Sequence, residues 1–152
     1  MSSYTATVRW SGDDPGAYLK GRYHRGHEWA FDGGTVVPAS AAPENVPPGT
    51  ANEAGVDPEE ALIAAISSCH MLFFLDYARR AGFAIASYVD EAVGVMEKRD
   101  DGKIAVTRVT LRPKIVWASD QPSADQLAEL HHRSHEDCFI ANSVKTEVTV
   151  EQ

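Results

Sequence analysis

Residues 56–83 read V-D-P-E-E-A-L-I-A-A-I-S-S-C-H-M-L-F-F-L-D-Y-A-R-R-A-G-F, and their reading decides the fold. Asp57 is a good N-cap, Pro58 suits the first helical position, and Glu60, three residues after the cap, completes a capping box. At the other end Gly82 supplies the left-handed residue that closes a helix. Arg79 and Arg80 lie in the last turn, where the helix dipole favours cations. Residues 61–75 carry no formal charge. A helix apolar on nearly all sides is expected to be buried in a core. Ser67, Ser68, Cys69 and His70 nevertheless occupy its middle, where packing alone would select Leu or Ile. The uncharged run is shorter than the ~20 apolar residues of a membrane span, and its polar groups also speak against one.

Working outward, the 152 residues suggest a single domain over residues 1–152 with a core of reasonable size. Lys and Arg number 14 against 22 Asp and Glu, and the net charge of −8 supplies no attraction for nucleic acid or an anionic membrane. No charged-then-apolar segment opens the chain, so the expectation is a cytoplasmic protein. In that setting the two cysteines, Cys69 and Cys138, point to redox or nucleophilic chemistry more than to a structural staple. Their spacing leaves open whether the sulfurs meet.

Before the helix, residues 4–10 are rich in β-formers and read as a first strand, residues 11–16 as a turn and residues 18–23 as a weak second strand. Residues 27–31 form a short strand, and Asp32-Gly33-Gly34 is a hairpin signal leading into residues 35–37. Residues 38–55 hold four prolines and two glycines with no periodicity, a loop that delivers the chain to the helix cap. Beyond Gly82, residues 88–98 alternate as a long strand, residues 99–102 turn, and residues 104–117 return as another. Pro113 cannot donate to a ladder, so that strand is an edge there or bends. Ser123 caps a second helix with Gln126 at the capping-box position. Leu127, Leu130, Ser134 and Cys138 share one stripe of it, which puts Cys138 near its end on the core side. Residues 144–150 alternate as a last strand. The chain is therefore α+β, with each helix carrying one cysteine toward the interior.

A thiol is a good nucleophile only as the thiolate, which needs a nearby cation or a helix N-terminus. Cys69 lies about three turns into its helix, beyond the reach of the dipole, so an activating charge must come from elsewhere. His70 is turned about 100° from Cys69 and reads as a packed or hydrogen-bonded residue, not as a base. Arg25 and Arg22 could lay a guanidinium over the helix, or could be solvated surface groups. His135-x-x-Cys138 has plausible ligand spacing, and with Cys69-His70 would make four zinc ligands. Neither cysteine belongs to a C-x-x-C pair, however, and adjacent helical residues diverge, so no metal is expected.

Val56-Asp57-Pro58-Glu59-Glu60-Ala61-Leu62, followed by Ala64-Ala65 and Ser68-Cys69, resembles the signature of the OsmC/Ohr family of osmotically inducible and organic-hydroperoxide-resistance proteins. His135-x-x-Cys138 with Asn142-Ser143 and the closing strand is similar to the family's second cysteine region. The resemblance covers nearly the whole chain. It implies an OsmC-like fold, β-sheets wrapped around a central buried helix in an intertwined homodimer. It further implies a thiol peroxidase acting on organic hydroperoxides with no cofactor. Carried over, Cys69 is the peroxidatic cysteine, Cys138 the resolving cysteine, and Glu59 the acid that orients a catalytic arginine, assigned here to Arg25. Two departures stand out: Phe139 follows Cys138 where the family often has Pro, and residues 38–55 contain no Arg.

The implied chemistry runs through a Cys69 sulfenic acid and a Cys69–Cys138 disulfide, reduced by an external dithiol. Leu62, Ile66 and Phe73 on the apolar helix are the expected substrate-binding residues for an alkyl or aryl hydroperoxide. Two other readings compete. One is a binding module whose apolar groove holds a fatty or aromatic ligand. The other is a cysteine hydrolase, for which no histidine is placed as a base. Glu59 and Cys69 lie ten residues apart, roughly 15 Å of helical rise, so active sites shared between subunits are also expected.

Overall fold

The computed structural model describes residues 1–151 and divides into two compact units, Met1–Ala61 and Leu62–Gln152. In the first unit, strands β1 (Ala6–Arg9), β2 (His27–Phe31) and β3 (Val36–Ala39) form an antiparallel sheet in that order. The β2–β3 hairpin turns where the sequence places it: Gly34 has φ +85°, and Phe31 N–H donates to Thr35 O at 3.0 Å. No strand forms over residues 18–23. The chain makes a short helix α1 (Pro15–Leu19) instead, because Asp14 caps it through Ala17 N–H at 2.9 Å and Pro15 fixes its first position. Residues 38–55 are less irregular than expected. Pro38 and Ala39 extend β3, Pro43–Asn45 forms a 3-10 turn, and Ala39 bridges Val56. Gly55 passes so near Ala39 that a Cβ there would sit 2.9 Å from its carbonyl carbon.

Helix α2 (Pro58–Arg80) begins and ends as its capping residues dictate. Glu60 N–H donates to Asp57 Oδ1 at 2.7 Å, and Asp57 N–H to Glu60 Oε2 at 3.2 Å. Gly82 has φ +87°; Phe83 N–H returns to Ala78 O and Gly82 N–H to Arg79 O, a Schellman closure. By length and composition α2 could cross a membrane. It is instead the central helix of the second unit. Ile66 packs with Val109 and Leu111, and Phe74, Tyr77 and Ala78 pack with Leu130. The expectation of burial on all sides needs correction, because in the single chain Ala64, Ala65, Ser68 and Leu72 on the opposite face are exposed.

The two long strands expected after α2 are each broken. β4 (Ile85–Asp90) pairs with β7 (Pro113–Trp117), while β5 (Val93–Lys98) pairs with β6 (Ile104–Leu111), and β8 (Glu147–Val150) joins β6 in parallel. The cause lies at the corner. Pro113 has no N–H for a ladder, and Asp90 Oδ1 takes the Arg112 N–H at 2.6 Å, so both strands change sheet at one level. The two sheets meet different halves of α2, which carries Ile66 against β6 and Phe74 against the β4–β7 pair. Helix α3 (Ala124–Asp137) starts at the Ser123–Gln126 capping box and buries Leu130, His131 and Ser134.

Candidate active site

The two thiols left unpaired by the spacing argument are neighbours in the second unit. Cys69 sits midway along α2 and is half-buried; Cys138 caps the C-terminus of α3 and is 1% exposed. The turn after α3 holds Cys138 in place. Its N–H donates to His135 O at 3.2 Å, and its carbonyl accepts from Asn142 N–H at 3.0 Å and from Asn142 Nδ2 at 3.1 Å. Burial pushes the Cys138 thiol up to about 11, with the adjacent Cys69 thiol adding to the rise. Ala141 N–H, donating to Sγ at 3.4 Å, offsets part of it. The pair thus consists of one thiol open to reagents and one held protonated behind it.

Helices α2 and α3 are tied together beside these thiols by polar contacts that sequence reasoning did not find. His70 and His131, 1% and 3% exposed, share a hydrogen bond of 3.0 Å between Nε2 of the first and Nδ1 of the second. Phe74 stacks on His131 with ring centroids 4.3 Å apart. Burial is the main reason that both imidazoles are lowered to about 4, so both are neutral at pH 7. Tyr77 donates its hydroxyl to Asp137, and the Arg133 guanidinium lies 4.3 Å from the Tyr77 ring centre. Asp90 accepts from Ser67 on α2 while holding Arg112. The available sequence signal was that His131 lies seven residues, about two turns, before Cys138 and so shares its stripe.

His70 has the packed, hydrogen-bonded position that helix geometry suggested. Ile66 does not line a substrate surface: it is 0% exposed in the core with Val109 and Leu111, because its side of α2 faces the sheet. Leu62 packs partly buried against that same cluster. Phe73 is half-buried and meets Phe139 edge to face at 5.1 Å. Phe139, next to Cys138 in the sequence, is 71% exposed; sequence reasoning treated it only as a departure from a family pattern. Glu59 is half-buried in the first turn of α2. Arg25, in the first unit, packs its guanidinium 3.7 Å over the Tyr23 ring and donates Nη1 to Gly21 O at 3.1 Å and to Tyr23 O. Arg22 is exposed. Among the described residues no group of three or more His, Cys, Asp or Glu is arranged to hold a metal ion.

The family model described as OsmC-like protein matches residues 49–152. A solved OsmC-like protein of unknown function from Vibrio cholerae is 49% identical, with a TM-score of 0.95 over 99% of both chains. The organic hydroperoxide resistance protein OhrB of Bacillus subtilis shares the fold at 17% identity and a TM-score of 0.68, covering 99% of this chain and 97% of its own. The Legionella pneumophila protein described as an organic hydroperoxide resistance protein OsmC and predicted redox protein does so at 14% identity and a TM-score of 0.66 over the full length of both. No curated protein matches the chain. The matched model spans both the α2 region with Cys69 and the α3 region with Cys138, and the chain belongs to the family of OsmC-like proteins.

Proposed function

We propose that this protein is a thiol peroxidase that reduces organic hydroperoxides. One observation carries the reading: a half-exposed Cys69 stands beside a buried, protonated Cys138. The organic-hydroperoxide-resistance function named for OhrB and the Legionella protein agrees with it. In the first step the Cys69 thiolate attacks the terminal peroxide oxygen and the O–O bond breaks. The alkoxide leaves with a proton as an alcohol, and Cys69 becomes a sulfenic acid. In the second, the Cys138 thiolate attacks the Cys69 sulfur and displaces hydroxide, which is protonated to water, forming the disulfide. An external dithiol then exchanges with it, restoring both thiols and becoming oxidised itself. Such a cycle suits a reducing cytoplasm.

Arg25 is the proposed cation for the Cys69 thiolate and Glu59 its orienting carboxylate. Phe73, Phe139 and Leu72 offer apolar surface to the organic group of the substrate, in place of Ile66. About 15 Å of rise separates Glu59 from Cys69 on the same helix, so each Glu59 is assigned to the site of a second copy in a homodimer. The exposed face of α2, with Ala64, Ala65, Ser68 and Leu72, supports such a partner. The apolar-ligand module receives less support. An open cleft of about 810 Å³ in the first unit is lined by Arg9, His24, His27 and Glu28 along with Val8 and Trp10, a mixed and charged wall. The test is titration with cumene hydroperoxide followed by thiol counting. Loss of two thiols per chain with formation of one alcohol supports the peroxidase, and unchanged thiols would reject it.

A further inference from the structure

The buried histidine pair has no part in that chemistry, yet it lies on the two helices that carry the thiols. His70 directly follows Cys69 on α2. His131 precedes Cys138 on α3 by two turns, roughly 10 Å of rise. Around them the seam between the helices is made by Phe74, Tyr77, Ala78 and Leu130, apolar contacts that do not fix how far one helix slides along the other, while the Tyr77–Asp137 hydrogen bond across the same seam is only partly buried and so more open to replacement by water. A hydrogen bond is directional and has one register. The His70–His131 bond is 3.0 Å long, and its rings lie 12° from parallel with centroids 5.3 Å apart. Both imidazoles are neutral, so one nitrogen donates and the other accepts. The remaining ring nitrogen of His70, Nδ1, is buried without a partner, so His131 takes all the hydrogen bonding this ring does. A buried polar pair of this kind is a poor source of stability compared with an apolar replacement, and its best-attested use is to specify register.

We propose that His70 and His131 are positioning residues that hold α3 in register with α2, and so keep Cys138 where it can close the disulfide onto Cys69. The proposal rests on the peroxidase reading for its place in the cycle. A disulfide tolerates only a narrow Cβ separation, about 3.5–4.5 Å, so a slide of even an ångström or two by α3 lowers the effective concentration of one thiol at the other. Oxidation of Cys69 by peroxide draws on Cys69 itself and on the proposed Arg25 and Glu59, none of them carried by α3, and is spared. The pair therefore acts on the second step of the cycle and leaves the first alone.

The test uses atom-specific replacements in the full-length protein. His131→Asn places an amide where Nδ1 was, and His70→Gln places one where Nε2 was, so each can keep the bond. His131→Phe and His70→Leu keep bulk and lose it. Should these not fold, His131→Gln carries the same amide one carbon too far and serves as the broken-register variant. Two readouts are taken. One is the Cys69–Cys138 equilibrium in glutathione buffers; the other is the rate of disulfide closure after one equivalent of cumene hydroperoxide, with sulfenic acid trapped by a dione reagent. The bond-keeping variants are expected within about threefold of wild type. The bond-breaking ones are expected to lose at least tenfold in effective concentration, about 30 mV toward a more oxidising couple, and to close tenfold more slowly while Cys69 oxidises at its usual rate. Equal potentials and closing rates in the bond-breaking variants and wild type would overturn the proposal. So would bond-keeping variants no better than bond-breaking ones. Wild-type Cys69 left unoxidised by hydroperoxide would reject the peroxidase reading instead, and the glutathione equilibrium would still decide the positioning role.

Discussion

In the proposed cycle, exposure assigns the roles of the two thiols. Cys69 is half-exposed and Cys138 is 1% exposed, so the first oxidation is expected on Cys69. Cys69→Ser is expected to abolish peroxide consumption. Cys138→Ser is expected to reduce about one equivalent per chain and stop at a sulfenic acid, as mass spectrometry after a single addition will show. A first oxidation found on Cys138 in wild type would reverse the assignment. The pH profile of closure follows from the same environment. Burial holds the Cys138 thiol up at about 11, and only its thiolate attacks. The closing rate should therefore rise with pH between pH 7 and 10 as the Cys138 thiolate becomes populated. Stopped-flow detection of disulfide formation checks this, and a flat profile over that range is incompatible with Cys138 as the attacking group.

Among the elements, the ends and contacts of α2 offer the sharpest tests. Gly82 closes the helix at φ +87°, and Gly82→Ala should cost about 1 kcal/mol, read from urea unfolding. Gly94 on β5 lies so close to α2 that a Cβ would stand 2.4 Å from Ile63 Cδ1. Gly94→Ala should destabilise by about 1–3 kcal/mol, and Ile63→Val, which removes that Cδ1, should recover part of it. The α2–α3 seam adds an acid sensitivity. His70 and His131 are lowered to about 4 mainly by burial, against an ordinary 6.5. His131 and His135 on α3 push His70 further down, while Asp90 on β4 opposes them. Between pH 6.5 and 4 the unfolded chain binds protons that the native pair refuses, so stability falls as pH drops through that window and is flat in this respect above it. Urea midpoints at pH 7 and 4.5 should differ less in the double variant His70→Gln, His131→Asn than in wild type.

At the scale of the whole molecule the exposed face of α2 and the Glu59–Cys69 rise lead to one expectation, a site completed by a second copy. Glu59→Ala and Cys69→Ser are each expected to be nearly inactive alone. Unfolded and refolded together, each mixed dimer then contains one site with both native residues and one with neither. Activity should reappear at up to about half the wild-type value per mixed dimer, if the two sites turn over independently. No recovery in mixed dimers verified by mass would rule the shared site out. Arg25→Ala is expected to slow Cys69 oxidation at least a hundredfold, and Arg22→Ala to leave it unchanged, in single-turnover assays.

The starts of α2 and α3, the hairpin at residues 32–34 and the core stripe of α3 were legible in the residues alone, because caps and turns are decided by neighbours within four positions. Asp57 with Glu60, Ser123 with Gln126, and Gly82 each form the bonds their local chemistry dictates. The misread segment at residues 18–23 was also local: the Asp14-Pro15 cap outweighed the β-preference of Tyr18 and Tyr23. Other features had no local signal. The breaks at residues 91–92 and at Arg112 accompany Pro113, which is legible locally, and the Asp90 carboxylate, which reaches the Arg112 N–H 22 positions away and is not. Which apolar residues of α2 face the sheet, and thus that Ile66 is sealed while Leu72 is exposed, depends on the placement of two sheets along it. The meeting of Cys69 with Cys138 and of His70 with His131, 61 positions apart, belongs to tertiary structure alone. Chain separation carries no information about such contacts; they exist because the packing of α3 on α2 makes them.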